Sequence, residues 1–136
     1  MKLKLITMPL VRITLSEKHD IATQNLISSA VHRALIDEFR IPENDFFHII
    51  ENIGPSQLRF PQEYLGISHT SDIIIIQIIA ATGRDALQKS NLYRAISFKI
   101  STLTNVSPKD IIIVLVENSK DNWSFGNGEM QDFNHV

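Results

Sequence analysis

The stretch DIIIIQIIAA, Asp72 to Ala81, decides the fold of this 136-residue chain. Isoleucine is stiff at its β-carbon and packs well on a pleated surface, so the run predicts a strand. Its apolar part, Ile73 to Ala81, is interrupted by Gln77 and is far shorter than the ~20 residues a spanning helix needs. Gly83 permits a turn beyond it, and Asp85-x-x-Gln88 has the form of a capping box opening a helix. That helix runs to about Leu103, with Leu92, Ala95/Ile96, Lys99/Ile100 and Leu103 on one stripe. Asn105 to Pro108 end it, and Asp110 to Val116 form a second apolar strand. Strand, helix, strand is the crossover unit, whose two strands run parallel.

The first half of the chain repeats the plan. Pro42 and Pro108 stand 66 residues apart, as do Glu51-Asn52 and Glu117-Asn118, and Asn25-Leu26 and Asn91-Leu92. The same spacing lays Met8–Leu15 on Ile74–Ala81, giving a repeat of about 8–52 and 74–118 within one domain, 1–136. Leu10 to Leu15 reads as a strand, and Asp20 to Phe39 as an amphipathic helix capped by Ser16 or Asp20. Pro42 stops that helix, and Phe46 to Ile50 read as the next strand. Gly54 to His69 is expected to be an irregular linker, and 119–136 a tail at a pocket or interface. The fold class is therefore α/β (α+β): duplicated β-α-β units forming a four-stranded mixed sheet with two helices on one face. Ile73–Ile76 and Ile111–Val116 are apolar on both faces, yet two helices cover only one. Burying the other face predicts a homo-oligomer packed sheet against sheet.

Composition narrows the function. A hydrophobic fraction of 43% excludes wholesale disorder, and a net charge of −2 argues against nucleic acid or an anionic membrane as partner. With no cysteine there is no disulfide, thiolate metal site or Cys nucleophile. The five histidines lack metal-ligand spacing, His19 and His32 are expected on a solvated helix face, and no metal or cofactor is implied. Gly126-Asn127-Gly128 reads as a turn rather than a phosphate loop. The lysines of MKLKLITMPLVRITL faintly mimic a secretion signal, but Pro9 and Arg12 break it and no cleavage site follows. A cytoplasmic protein is expected, with Met1–Thr7 able to extend the first strand.

Met8-Pro9 carries a second possibility beside a plain strand-start proline. Were translation to begin at Met8, its removal would leave Pro9 with a free secondary amine, of ordinary pKa ~7.7–8.0. Such a group can act as base or acid near neutrality. With residues 1–7 attached, the nitrogen is a tertiary amide and that chemistry is gone.

Pro9-Leu10-Val11-Arg12, Gly83-Arg84, and Val116-Glu117-Asn118-Ser119 followed by Trp123-Ser124-Phe125-Gly126 resemble the tautomerase superfamily. The nearest branch is that of malonate semialdehyde decarboxylase and its tautomerase-like relatives. The resemblance spans Pro9 to about Phe133. It implies a trimer of β-α-β repeats, an amino-terminal catalytic proline at Pro9, and a substrate carboxylate held by Arg84. A planar guanidinium suits that task because it meets a carboxylate in two places. The resemblance also implies a water-positioning acid at Asp45, and a substrate pocket lined by Trp123, Phe125, Phe133 and Phe47.

Two departures bear on the activity. The decarboxylase carries two arginines separated by one residue, where this chain has Thr82-Gly83-Arg84, and a tyrosine where this chain has Phe47. Loss of one cation disfavours decarboxylation and leaves keto–enol tautomerisation of a 2-oxo or enol acid as the expected reaction. The rival expectations are a non-catalytic oligomeric binding protein on the same scaffold, motivated by the residues ahead of Met8 and by Thr82, a decarboxylase-type lyase, and a ferredoxin-like regulatory module.

Overall fold

The structure, a computed structural model, describes residues 9–131; the expectations for Met1–Thr7, Met8 and Phe133 fall outside that range. Two strand–helix–strand units follow one another. The first is β1 (Leu10–Ser16), α1 (Ile21–Phe39) and β2 (His48–Ile53). A hairpin of β3 (Glu63–Tyr64) and β4 (Ile67–Ser68) follows, and then β5 (Ile74–Ala81), α2 (Ala86–Leu103) and β6 (Ile111–Asn118). The main sheet has the order β2-β1-β5-β6. Its outer pairs are parallel and its central pair, β1 with β5, is antiparallel. Both helices pack on one face, over Val11, Ile13, Leu15, Ile74, Ile76 and Ile78. The expected mixed sheet with two helices on one side is the observed fold. Among the described residues, no helix is long and apolar enough to cross a membrane.

Local chemistry sets the element ends. Asp20, not Ser16, caps α1, its carboxylate accepting from the Thr23 N–H at 2.8 Å. Arg40 ends that helix in the left-handed region (φ 55°), its N–H bonded to Ile36 O, and Pro42 lies just beyond. Asp85 caps α2 through the full reciprocal box with Gln88, at 2.8 and 3.2 Å. β2 begins two residues later than the apolar run Phe46–Ile50 indicates, at His48. Asp45 N bonds to Pro42 O and Phe46 N to Asn44 O, so a turn consumes the backbone groups the ladder would need.

Burial aligns the two units at a spacing of 65 rather than 66. Ile27, Val31 and Leu35 of α1 are fully buried, and so are Leu92, Ile96 and Ile100 of α2, each 65 residues on. Asp20 and Asp85 cap at the same spacing. The Asn-Leu and Glu-Asn matches at 66 fall out of register: Leu26 is exposed while Leu92 is buried. Side chains on a strand alternate faces, so the single-residue offset puts Glu51 on the open face and Glu117 on the helix face.

The open face is divided. Across β1 and β2 it is polar, with Arg12 Nε 3.0 Å from Glu51 and the Thr14 hydroxyl also donating to Glu51. Across β5 and β6 it is apolar: Ile75, Ile79 and Ile112 are half-covered, and Val114 and Val116 are 43% and 48% exposed.

The segment expected as an irregular linker contains the β3–β4 hairpin, which is rooted in a buried cluster. Asp110 is 2% exposed and accepts from both the Thr70 N–H (2.7 Å) and the Thr70 hydroxyl (2.6 Å). His69 bonds through Nδ1 to Lys109 O at 2.8 Å. These contacts tie the hairpin's exit to the short 3-10 helix Pro108–Asp110 that feeds β6. Asp110→Ala removes the acceptor of both the Thr70 N–H and the Thr70 hydroxyl. It should cost about 1–3 kcal/mol, read as a lower urea midpoint at unchanged m-value. Asp110→Asn, which keeps an acceptor, should lose less.

Candidate active site

Sheet register gathers the sequence-marked residues at one end of the molecule. Leu10 pairs with Ile79, so Pro9, one residue earlier and buried, stands beside the C-terminal end of β5. On its other side the Val11 N–H donates to Phe47 O at 2.9 Å, bringing the approach to β2 alongside. Thr82 N donates to Asn118 O at 3.0 Å, bringing the end of β6 to the end of β5. Pro9, Phe47, Thr82, Arg84 and Asn118 therefore lie at the same end of the sheet, although they come from the termini of four strands.

Arg84 is 7% exposed. It immediately precedes the Asp85 cap, a position where the helix dipole disfavours a cation, but its side chain turns away from α2. Nη1 donates to Ala81 O at 3.1 Å and Nη2 to Phe39 O at 3.2 Å. The guanidinium also lies over the Phe39 ring, 4.5 Å from its centroid. Phe39 is the last residue of α1, so the cation sits where the helix leaves carbonyls unpaired and its dipole is negative. Burial pushes the Arg84 pKa below the ordinary arginine range, and the Glu117 carboxylate partly offsets this. Glu117 is itself paired with Lys89 of α2 at 2.6 Å.

An aromatic wall stands on the open-face side. The Trp123 and Phe125 rings stack with centroids 5.0 Å apart and planes within 4°, and Phe47 meets Phe125 at 5.7 Å. Trp123 Nε1 donates to Asn118 Oδ1 at 2.6 Å. The loop behind the rings is tight: Gly126, Asn127 and Gly128 all have positive φ, and Gln131 bonds to Phe125 N (2.7 Å) and Gly126 O (3.0 Å). Asp45 lies in the turn before β2, at the same sheet end as Phe47.

Four residues of this region had no role assigned from sequence: Phe39, Lys89, Glu117 and Asn118. Phe39 reads only as the end of an apolar helix stripe. Glu117 and Asn118 belong to the quoted Val-Glu-Asn-Ser run, and β6 extends through them, so strand alternation sets them on opposite faces. The histidines also differ from expectation. His19 is buried, with Nε2 3.1 Å from Asp72 O. His32 and His48 lie 6.0 Å apart in a cluster with Phe46, which stacks on His48 at 4.4 Å. The Ser28 hydroxyl is 2.8 Å from His48 Nδ1.

The chain is similar to known proteins in sequence and fold. Residues 45–126 match the family model described as tautomerase enzyme. The probable tautomerase YusQ of Bacillus subtilis (strain 168) is 32% identical over 124 residues, covering 91% of this chain and 98% of that protein. Among solved structures, FG41 malonate semialdehyde decarboxylase inhibited by 3-bromopropiolate superposes with a TM-score of 0.84 at 30% identity, covering 90% of this chain and 92% of that one. Another malonate semialdehyde decarboxylase, solved in wild-type, mutant and inactivated forms, gives 0.83 at 28% identity over 93% of this chain and 96% of that one.

The edge of the site makes a pH-dependent contribution to stability. Desolvation, with the nearby His32, lowers the His48 pKa from 6.5 to about 4. The folded state therefore resists a proton that the unfolded chain accepts, and His48's contribution is intact above pH 6.5. It is lost progressively as pH falls from 6.5 towards 4, at up to about 1.4 kcal/mol per pH unit. Denaturant titrations across that window should show the slope in the wild-type chain and a flatter one in His48→Gln.

Proposed function

This chain belongs to the tautomerase family, and from that premise we propose that it moves a proton on a 2-oxo or enol carboxylic acid. Pro9 is the acid/base, carried by a form of the chain that begins at Met8 and has lost it. In the enolising direction the ring nitrogen takes a proton from C3, the C–H electron pair becomes the C2=C3 bond, the C2=O π pair moves to oxygen, and that oxygen takes a proton from water. Ketonisation is the reverse. Arg84 holds the carboxylate and stabilises charge developing on the oxygen. Phe47, Trp123, Phe125 and Phe133 exclude water and so keep the amine's pKa low, while Asp45 orders water at the mouth. No cofactor is called for.

The observation that supports this reading is the register that sets Pro9 beside the end of β5, the strand end whose Ala81 carbonyl accepts from the buried Arg84 guanidinium. One cation in place of the decarboxylase's two favours tautomerisation over decarboxylation, since less positive charge is available to stabilise the carbanion left when CO2 departs. We further propose that 1–136 acts as one tautomerase-like unit and assembles as a homotrimer. The apolar β5–β6 half of the open face supports that assembly, and the trimers solved for fused 4-OT have the same fold.

One observation favours the rival, a non-catalytic binding protein. Arg84 caps the end of α1, which a purely structural arginine would also do. Intact-mass measurement of the natively expressed chain separates the two: a mass starting at Pro9 supports the enzyme, one starting at Met1 the binder. In protein beginning at Pro9, Pro9→Ala should lower kcat/KM for phenylenolpyruvate by ~10²–10⁴ with unchanged melting temperature. Arg84→Lys, which keeps the charge but loses the two-pronged donor, should raise KM at least tenfold. Unchanged rates in both variants would exclude the mechanism. Val114→Glu, which places charge on the open face, should shift the protein to smaller species in light scattering.

A further inference from the structure

We infer that Asn118 is a positioning residue: its side-chain carbonyl fixes the indole of Trp123 and, through ring stacking, the orientation of the whole aromatic wall. The inference rests on the reading above for the wall's use, but its geometry stands apart from it.

Asn118 is the last residue of β6 and is held twice. Its backbone pairs with Ala81 in the β5–β6 register, and its carbonyl oxygen accepts from Thr82 N at 3.0 Å. The residue is thus part of the sheet, and its side chain projects from the open face. The Trp123 ring belongs to a segment with no ladder of its own, the short 3-10 helix Lys120–Asn122 and the turn after it. That segment is stitched mainly to itself: Ser119 N bonds to Asn122 Oδ1, and Asn122 and Trp123 N–H groups bond back to Ser119 and Lys120. The 2.6 Å bond from Trp123 Nε1 to Asn118 Oδ1 is the indole's tie to the sheet.

An indole N–H is a donor with no acceptor beside it, so this one bond restrains the two side-chain torsions that orient the ring. With the indole set, Phe125 lies parallel to it within 4°, and Phe47, on the far side of Pro9, meets Phe125 at 5.7 Å. One side-chain bond therefore orders a three-ring row spanning from β6 to the approach of β2. The neighbouring Glu117 points to the other face, towards Lys89 and the field of Arg84. Asn118 has no contact with Arg84 among these bonds, so losing its side chain should disturb the wall and leave the charged side in place.

The chain has a single tryptophan, Trp123, so its emission reports on this ring alone. The test compares wild type with Asn118→Leu, which is similar in size but lacks the acceptor, and Asn118→Asp, which restores it. Asn118→Leu should shift Trp123 emission to the red and weaken binding of phenylpyruvate, measured by calorimetry, about tenfold. In turnover it should raise KM by a similar factor. Asn118→Asp should bring emission and affinity back towards wild type. Unchanged emission in Asn118→Leu overturns the positioning role. Shifted emission with unaltered affinity and KM overturns its bearing on the site. Absence of turnover from the wild-type chain counts against the Pro9 reading instead, since emission and calorimetric binding still decide the role of Asn118.

Discussion

The antiparallel pairing of β1 with β5 is the constraint on which the rest depends. Each strand–helix–strand unit keeps its own two strands parallel, in the same register: Val11 pairs with His48 and Ile74 with Ile111, both 37 residues apart. Joining the units through antiparallel central strands makes the start of β1 meet the end of β5. Arg12 and Gln77, themselves 65 residues apart, face one another at the middle of that seam. A parallel seam would instead put Pro9 at the opposite end of the sheet from Thr82, Arg84 and Asn118. The candidate site exists because the units are related by a half-turn.

Much of this was legible in the sequence because the signals were local and redundant. The isoleucine run, the Asp85–Gln88 box and the prolines after each helix act over a few residues, and the structure uses each of them. The repeat was legible in outline and displaced by one residue. Letter matches such as Glu51-Asn52 with Glu117-Asn118 carry no information about which face a side chain takes. Burial does, and Ile27, Val31 and Leu35 answer to Leu92, Ile96 and Ile100. A period-2 element punishes a one-residue slip by inverting inside and outside. The hairpin was missed because its strands are two residues each, too short for any alternation to show.

The surroundings of Arg84 were illegible for a different reason. Read along the chain, the residue is a cation at the wrong end of a helix. Its partners lie 45 residues back, where α1 ends over the same sheet edge, and the dipole that matters is that helix's negative end. The guanidinium thus satisfies carbonyls that would otherwise be unpaired, and the fold supplies part of the compensation for burying its charge. Substitution of Arg84 by a neutral residue would disturb α1 as well as any ligand, which is why charge-retaining variants read its role more cleanly.

The end of β6 sends adjacent side chains to the two faces of the sheet at the candidate site. Glu117 faces the helices, paired with Lys89 and acting on the field at Arg84; Asn118 faces away and holds Trp123. Neighbouring residues on a strand diverge by construction, so the charged wall and the apolar wall can be set from adjacent positions without competing for space. In the other half of the molecule the same two letters, Glu51-Asn52, are turned over: Glu51 meets Arg12 on the open face and Asn52 reaches Gln24 on the helix side. Those residues also sit near the opposite end of the sheet from Pro9, because the half-turn that relates the units carries the end of β2 away from it. Duplication supplied two copies of one framework, and a one-residue difference in register left only the second with its polar pair arranged to serve both walls.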